Sequence, residues 1–253
     1  MPDPSPSGRH LAVLRLTLEY HGGGFKGWTA QPGLRTVEGV LFDALGKLCP
    51  TPPALSVAGR TDTGVHARGQ VVSLSCEEVE ARALLRSLNG ILPDDVSVIA
   101  VERATDGFDA RRDAVARTYC YRVLARPAPS PFLRDHALWY SQPLDVDALA
   151  RCAAALPGTH DFTAFTPTQT EHVRFERTVF RAEWRRDRDL LEFWIEADAF
   201  MRHMVRVLVG TMLEVTEGRR HPEQFVSLLS GAARSQAGPT AEAHGLSLEH
   251  VRY

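Results

Sequence analysis

One short segment of this 253-residue chain combines residue types that could do chemistry. The stretch from Gly59 to Ala67 reads G-R-T-D-T-G-V-H-A, and it places Asp62 between Arg60 and His66. Glycines before and after the polar residues let the backbone turn sharply and come close to a ligand. The segment therefore predicts a turn that presents one carboxylate between two basic side chains. The alternative is an ordinary turn at a strand end, in which Asp62 only caps the chain.

A strongly apolar helix is predicted from about Phe200 to Glu217, and it carries Arg206 near its middle. Because apolar residues occupy nearly all faces of this segment, we expect the helix to be largely buried. A buried guanidinium needs a partner. Arg206 either extends to solvent or to backbone carbonyls, or it pairs with an isolated carboxylate, for which Asp62 is the natural candidate. Such a pair would keep the carboxylate ionised and oriented, as a nucleophile requires.

Two tyrosines, Tyr119 and Tyr121, alternate on one face of a predicted strand. Strand tyrosines are commonly core residues whose hydroxyl groups reach water. A tyrosine ring beside a carboxylate would also stack on a flat substrate such as a nucleobase, and base–aromatic stacking contributes about 1–3 kcal/mol. The sequence pattern alone leaves both roles open for Tyr119.

Composition and charge exclude several classes of protein. The chain is 44% hydrophobic and 24% charged, as in ordinary globular proteins. Its net charge of −2 excludes nucleic-acid binding through bulk positive charge, but it does not exclude binding through a local basic cleft. Its four cysteines form no C-x-x-C pair and no H-E-x-x-H motif occurs, so we expect no metal site. Without an apolar run of membrane-spanning length or a signal-peptide core, we expect a cytoplasmic protein that does not contact a membrane.

Apolar periodicity divides the chain into two halves with a similar order of elements. The first half has predicted strands at 14–20, 55–58, 71–76 and 96–104, and helices at 37–48 and 79–88. The second half has predicted strands at 119–123, 174–184, 190–197 and 246–253, and helices at 146–156, 200–217 and 222–229. Each half approximates a β-α-β-β-α-β unit. The predicted fold class is α+β, with two ferredoxin-like units, antiparallel mixed sheets and an active-site cleft between them.

We expect three parts along the chain. Residues 1–10 are rich in proline and serine and are predicted to form a disordered tail. Residues 11–107 are predicted to form the N-terminal domain with the aspartate loop, and 108–253 the C-terminal domain with the active-site tyrosine and arginine.

Several sequence blocks occur in the same order as in a known family. They are Y-H-G-G-G-F-K-G-W at 20–28, G-R-T-D-T-G-V-H-A at 59–67, G-Q-V-V at 69–72, L-N-G-I-L-P at 88–93, F-D-A-R at 108–111, R-T-Y-C-Y at 117–121, D-F-T-A-F at 161–165, A-F-M-R-H-M-V-R at 199–206 and A-G-P-T-A at 237–241. Together they span nearly the whole chain, from about Leu14 to Tyr253. On these blocks the sequence resembles the tRNA pseudouridine synthase A (TruA) family.

The resemblance implies an activity and a set of roles. The family isomerises uridines 38, 39 and 40 of the tRNA anticodon stem-loop to pseudouridine, as a homodimer and without a cofactor or metal. Asp62 matches the catalytic aspartate that acts at C1′ of a flipped-out uridine, Tyr119 the tyrosine that packs on the base, and Arg206 the arginine paired with the aspartate. The substrate-binding residues expected on this basis are Arg60, Tyr119, His66, Gln70, Arg202 and Lys26.

Two other functions are compatible with parts of the sequence. Asp62-Thr63-Gly64 also spells the D-T-G of aspartic proteases, but these enzymes need two facing carboxylates, and the chain has no second copy of the motif. An RNA-binding protein without catalytic activity would keep a basic cleft and tolerate the loss of Asp62. The combination of Asp62, Tyr119 and Arg206 argues against that alternative.

Overall fold

The computed structural model describes residues 11–49, 53–77, 80–170 and 173–253. The predicted disordered tail at 1–10 and the predicted helix start at residue 79 lie outside these ranges. The helices are α1 (Val37–Leu48), α2 (Ala81–Asn89), α3 (Val146–Ala154), α4 (Met204–Thr216) and α5 (Pro222–Ser227). The strands are β1 (Leu11–Tyr20), β2 (Leu55–Val57), β3 (His66–Glu77), β4 (Val96–Arg103), β5 (Ala116–Ala125), β6 (Leu138–Tyr140), β7 (Gly158–Asp161), β8 (Glu176–Asp187), β9 (Leu190–Ala197) and β10 (Leu246–Arg252).

The ten strands form one mixed sheet in the order β4-β1-β3-β10-β5-β9-β8-β7, with β2 paired to β3 and β6 to β5. Within the first half, β4, β1, β3 and β2 are antiparallel neighbours. Within the second half, β10, β5, β9 and β8 are likewise antiparallel neighbours. The two halves join through a short parallel pairing of β3 with β10, in which His66 is opposite Ser247. The predicted mixed α+β class is confirmed, while the division into two ferredoxin-like units and the boundary at residue 107 stay predictions.

Local sequence patterns explain most of the elements. In β1, Leu14, Leu16 and Leu18 are buried and alternate with more exposed residues, as the period of a strand requires. Helix α1 begins after Thr36, whose side-chain oxygen accepts a hydrogen bond from the Gly39 amide at 3.3 Å. Strands β6 and β7, of three and four residues, were not predicted, because segments this short give only a weak periodic signal.

Helix α4 differs from its prediction at the start. It begins at Met204 and not near Phe200, because His203 has φ 63° and ψ −1°, in the left-handed region, where an α-helix cannot continue. The rest of the prediction is confirmed: ten residues of the helix are buried. The predicted helix 222–229 is also shorter than expected and ends at Ser227. None of the helices in the described ranges combines the length and apolar character that crossing a bilayer requires.

Candidate active site

The loop that carries Asp62 connects β2 to β3, and hydrogen bonds from the end of β1 and the segment after it fix its position. The Trp28 amide donates to the Thr61 carbonyl at 3.0 Å. The Tyr20 hydroxyl and the Thr61 hydroxyl lie 2.7 Å apart in a buried hydrogen bond. A Cβ at Gly22 would lie 2.1 Å from the Val65 carbonyl oxygen, so only glycine allows this close approach of the two backbones.

Two residues predicted to bind substrate are buried and bound to the loop or to its supports. The side-chain amide of Gln70 is fully buried and donates to the Gly59 carbonyl at 2.6 Å. His66 accepts a hydrogen bond from the Gly22 amide at Nδ1, and its Nε2 lies 3.1 Å from the His244 carbonyl. Burial, aided by two neighbouring histidines, lowers the pKa of His66 to about 4, so its ring is neutral at physiological pH. Both side chains therefore fix the position of the loop.

Arg206 and Asp62 lie together, which is one of the two outcomes that the sequence left open for Arg206. The guanidinium Nη1 is 3.4 Å from Oδ2 of Asp62, and their side chains are 15% and 25% exposed. Nε of Arg206 also donates to the Ala241 carbonyl at 2.7 Å, so the guanidinium has both a backbone partner and a carboxylate partner. The paired carboxylate is anchored but still reachable from solvent, which is the arrangement that a nucleophile or an electrostatic stabiliser needs.

His203, the residue directly before α4, also lies near Asp62, and the sequence analysis did not select it. Its Nε2 lies 3.6 Å from the same Oδ2 that Arg206 approaches. The other carboxylate oxygen, Oδ1, has no hydrogen-bond partner among the described residues. The A-F-M-R-H-M-V-R block contains His203, but a left-handed backbone conformation at a non-glycine residue has no signature in a single sequence.

Tyr119 is buried on β5 close to the same loop. Its ring packs edge-on against Phe200, with ring centroids 4.9 Å apart. A Cβ at Gly59 would lie 3.6 Å from the Tyr119 hydroxyl oxygen, so the hydroxyl reaches the start of the aspartate loop. Burial first, and then the nearby Tyr20 and Asp62 groups, raise the pKa of Tyr119 well above its usual value. The side chain is therefore a neutral phenol at physiological pH.

Arg117 stabilises the backbone around the site through hydrogen bonds to carbonyl groups, a role that the sequence did not predict. Its buried guanidinium donates five hydrogen bonds to four backbone carbonyls, with no carboxylate partner among them. Two of these bonds, at 3.0 and 2.8 Å, go to Ala58, directly before the aspartate loop. The others go to Ala114, Asp198 and Arg111. The side chain thereby links the aspartate loop, the start of β5 and the segment that leads to α4.

The remaining predicted substrate-binding residues lie on the surface. Arg60, Arg202 and Lys26 are exposed. Within the described ranges, Arg60 has no hydrogen bond or ion pair, and it stands two positions before Asp62. All three are cationic side chains exposed to solvent.

Three histidines next to the loop lie close enough together to raise the question of a metal centre. The rings of His21, His66 and His136 approach one another, and one nitrogen from each lies within 4.8 Å of the others. They line a cavity of about 250 Å³. However, Nδ1 of His66 accepts from the Gly22 amide and its Nε2–H faces the His244 carbonyl, so neither ring nitrogen is free for a metal. These three residues do not fit a metal unless a hydrogen bond that holds the loop is broken.

Comparison with known proteins points to one family. Residues 152–253 match the family model described as tRNA pseudouridine synthase. The chain is 44% identical over 247 residues to tRNA pseudouridine synthase A of Frankia casuarinae, covering 96% of this chain and 90% of that protein. It is 41% identical to the protein of the same name from Moorella thermoacetica, covering 96% and 100%. A solved Cbf5-Nop10-Gar1 complex matches over 79% of this chain and 53% of its own, at 12% identity; its TM-score of 0.32 gives that likeness no weight.

Proposed function

Because the chain belongs to the tRNA pseudouridine synthase A family, a family of isomerases, we propose that it converts uridines 38, 39 and 40 of the tRNA anticodon stem-loop to pseudouridine, with Asp62 as the catalytic residue. The observation that carries this proposal is the pairing of Asp62 with Arg206, which lie 144 positions apart in sequence and 3.4 Å apart in space. The family membership removes the aspartic protease alternative, and that of an RNA-binding protein without catalytic activity.

The reaction rearranges bonds within one nucleotide. The bond from C1′ to N1 breaks, a bond from C1′ to C5 forms, and the C5 proton is exchanged for a proton at N1. Positive charge develops at C1′ when the first bond breaks, and the Asp62 carboxylate stabilises or attacks that carbon, as carboxylates do at glycosidic centres. Arg206, with its guanidinium beside the carboxylate, fixes the direction of that carboxylate.

The target uridine must leave its helix to reach a carboxylate in a loop, which costs a few kcal/mol. In our proposal, Tyr119 offsets part of this cost by packing on the extracted base. Since its phenol is neutral, Tyr119 serves the C5 proton step only as a hydroxyl that relays a proton, and not as a phenolate base.

The exposed cations supply contacts to the RNA backbone. Three exposed cations are proposed to bind phosphates around the flipped nucleotide: Arg60, Lys26 and Arg202. Of these, Arg60 is proposed to lie next to the site from which the target uridine is displaced. Because such contacts release counterions, the affinity for tRNA should fall steeply with salt despite the net charge of −2. Gln70 and His66 serve the substrate indirectly, since their hydrogen bonds hold the loop that carries Asp62.

The wider expectations are part of the same proposal. Each half contains four strands, in the order β4-β1-β3-β2 or β10-β5-β9-β8, and each strand is antiparallel to its neighbours in that order. This arrangement supports two ferredoxin-like units, divided near residue 107, with the cleft for RNA between them. We also propose a homodimer located in the cytoplasm, from the resemblance of the sequence to the family.

Release of tritium from tRNA labelled at C5 of uridine tests the proposal directly, because pseudouridine formation detaches that hydrogen. Asp62→Asn keeps the side-chain shape and removes the charge, so we expect tritium release to fall by at least about 10³-fold. Affinity for tRNA should stay within about twofold, since phosphate is bound by cationic and neutral donor groups and not by a carboxylate. Asp189→Asn, in the exposed β8–β9 turn, is the matched control and should release tritium at the wild-type rate. Appreciable turnover by Asp62→Asn would remove Asp62 from its proposed role.

A further inference from the structure

His203 lies against the candidate catalytic carboxylate but has no assigned role. Its Nε2 is 3.6 Å from Oδ2 of Asp62, and Nη1 of Arg206 is 3.4 Å from the same oxygen. Both groups belong to the start of α4 or to the residue before it, so one element contacts the carboxylate through two side chains. Hydrogen bonds at active sites are commonly long without substrate and shorten when the substrate is bound.

The backbone of His203 shows that its position is tightly determined. With φ 63°, it is one of two non-glycine residues with positive φ in the described ranges, the other being Arg188 in the β8–β9 turn. A residue with a Cβ adopts this conformation at a cost, and such costs persist where the surroundings impose them, often at functional sites. The imidazole makes no capping bond to the helix, so helix capping does not account for a histidine here.

The charges around His203 determine its protonation state. Burial, together with the Arg206, Arg202 and Arg234 guanidinium groups, lowers its pKa, and only Asp62 acts in the opposite direction. The ring is therefore neutral at physiological pH and carries one N–H. Since an ionised carboxylate only accepts hydrogen bonds, the nitrogen facing Asp62 carries that hydrogen.

We propose that His203 is a positioning residue: its Nε2–H and the Arg206 guanidinium together hold Oδ2 of Asp62, which leaves Oδ1 directed at C1′ of the flipped uridine. This inference rests on the proposed function. The absence of a partner for Oδ1 among the described residues is what the reaction requires, because the reacting oxygen must be free. Arg206 alone restrains the carboxylate at one point, and a second donor removes the remaining rotation about the Cβ–Cγ bond.

Three substitutions separate positioning from a structural role. His203→Gln places an amide N–H near the position of Nε2, whereas His203→Asn is too short to reach Asp62 but tolerates the left-handed backbone well. His203→Ala removes the side chain. His221→Ala, at the residue before α5, is a control for loss of a histidine next to a helix start.

Single-turnover rates with enzyme in excess over tRNA are the deciding measurement. We expect His203→Ala and His203→Asn to slow tritium release at least about tenfold, His203→Gln to stay within about threefold of wild type, and His221→Ala to leave the rate unchanged. The dissociation constant for tRNA should change by less than about twofold in every variant, because the effect is on the chemical step. Thermal unfolding of His203→Asn should match wild type.

Two results would overturn the inference: a wild-type rate in His203→Asn or His203→Ala, or a His203→Gln variant as slow as His203→Ala. The first would mean that only the backbone conformation matters or that the side chain is dispensable. Asp62→Asn, assayed in parallel, separates this failure from failure of the proposed function. If Asp62→Asn retains turnover, the proposed catalytic residue is wrong; if it is inactive while the His203 variants behave as wild type, only the positioning role is wrong.

Discussion

Replacement of Arg206 by methionine separates the chemistry of the site from the stability of the fold. Methionine fills much of the same space in the apolar helix but has no charge or donor. Arg206→Met deletes two contacts, the 3.4 Å approach to Asp62 and the 2.7 Å hydrogen bond to the Ala241 carbonyl. We expect a large loss of activity and a small loss of stability.

The magnitudes follow from what each contact does. A hydrogen bond from a charged donor contributes about 1.5–3 kcal/mol, and relief of the desolvation of a guanidinium that is 15% exposed offsets part of that loss. The unfolding free energy should therefore fall by no more than about 2 kcal/mol, or roughly 6 °C in melting temperature for a chain of this size. Loss of the cation beside Asp62 leaves the carboxylate misdirected and poorly stabilised, which should slow the chemical step about 10²-fold, equivalent to about 2.7 kcal/mol.

Arg220 provides a matched control on the same part of the fold. Its guanidinium pairs with Glu214 of α4 at 3.1 Å and donates to the Gln236 carbonyl at 2.7 Å, and both charged side chains are 17% exposed. Arg220→Met thus removes an equivalent ion pair and backbone contact that do not involve the aspartate loop. It should lower the melting temperature by a similar amount, with the tritium-release rate within about twofold of wild type.

The measurements are single-turnover tritium release, tRNA affinity and thermal unfolding for both variants. A wild-type rate in Arg206→Met would refute the reasoning, since Asp62 would then need no cation beside it. Equal loss of rate in Arg220→Met would also refute it, because the effect would follow general destabilisation of α4.

Three other predictions concern the supports of the site. Arg117→Met should lower the unfolding free energy by about 3–5 kcal/mol in denaturant titrations, because four backbone carbonyls lose their donor; a loss below 1 kcal/mol would contradict this role. The pKa of His66 is about 4 in the folded protein and about 6.5 in the unfolded chain, so the unfolded state binds more protons. The unfolding free energy should therefore fall as pH decreases from 6.5 to 4, by up to about 3 kcal/mol. His66→Asn should flatten this pH profile, whereas His250→Gln, at an exposed residue, should leave it unchanged. Gly22→Ala should slow tritium release and lower the melting temperature, because its Cβ would meet the Val65 carbonyl at 2.1 Å, whereas Gly90→Ala, with its nearest contact at 3.5 Å, should do neither.

The sequence predicted what local patterns encode. Helix α1 was confirmed at both ends, and β1 ends at Tyr20 as predicted but begins earlier, at Leu11 and not at Leu14; alternating leucines and a threonine cap are local signals. The Asp62–Arg206 contact was also predictable, since a charged residue within an apolar helix requires a partner. The contacts of Arg117 were not predictable, because a guanidinium satisfied only by backbone carbonyls leaves no complementary residue type in the sequence. The left-handed conformation of His203 is imposed by tertiary structure in the same way.

The position of the site depends on the seam between the two halves of the sheet. Asp62 belongs to a loop of the first half, and Arg206 and His203 belong to the second, so no contact within one half can align them. The alignment comes from the parallel pairing of β3 with β10, where His66 lies opposite Ser247 and also binds the Gly22 amide and the His244 carbonyl. A Cβ at Gly69 would lie 2.4 Å from the Glu249 carbonyl, so the seam also excludes any larger residue there. Together with the Arg117 hydrogen bonds to Ala58, this seam fixes the carboxylate relative to its partners, so a change at the seam should reduce catalysis even when each half keeps its own strands.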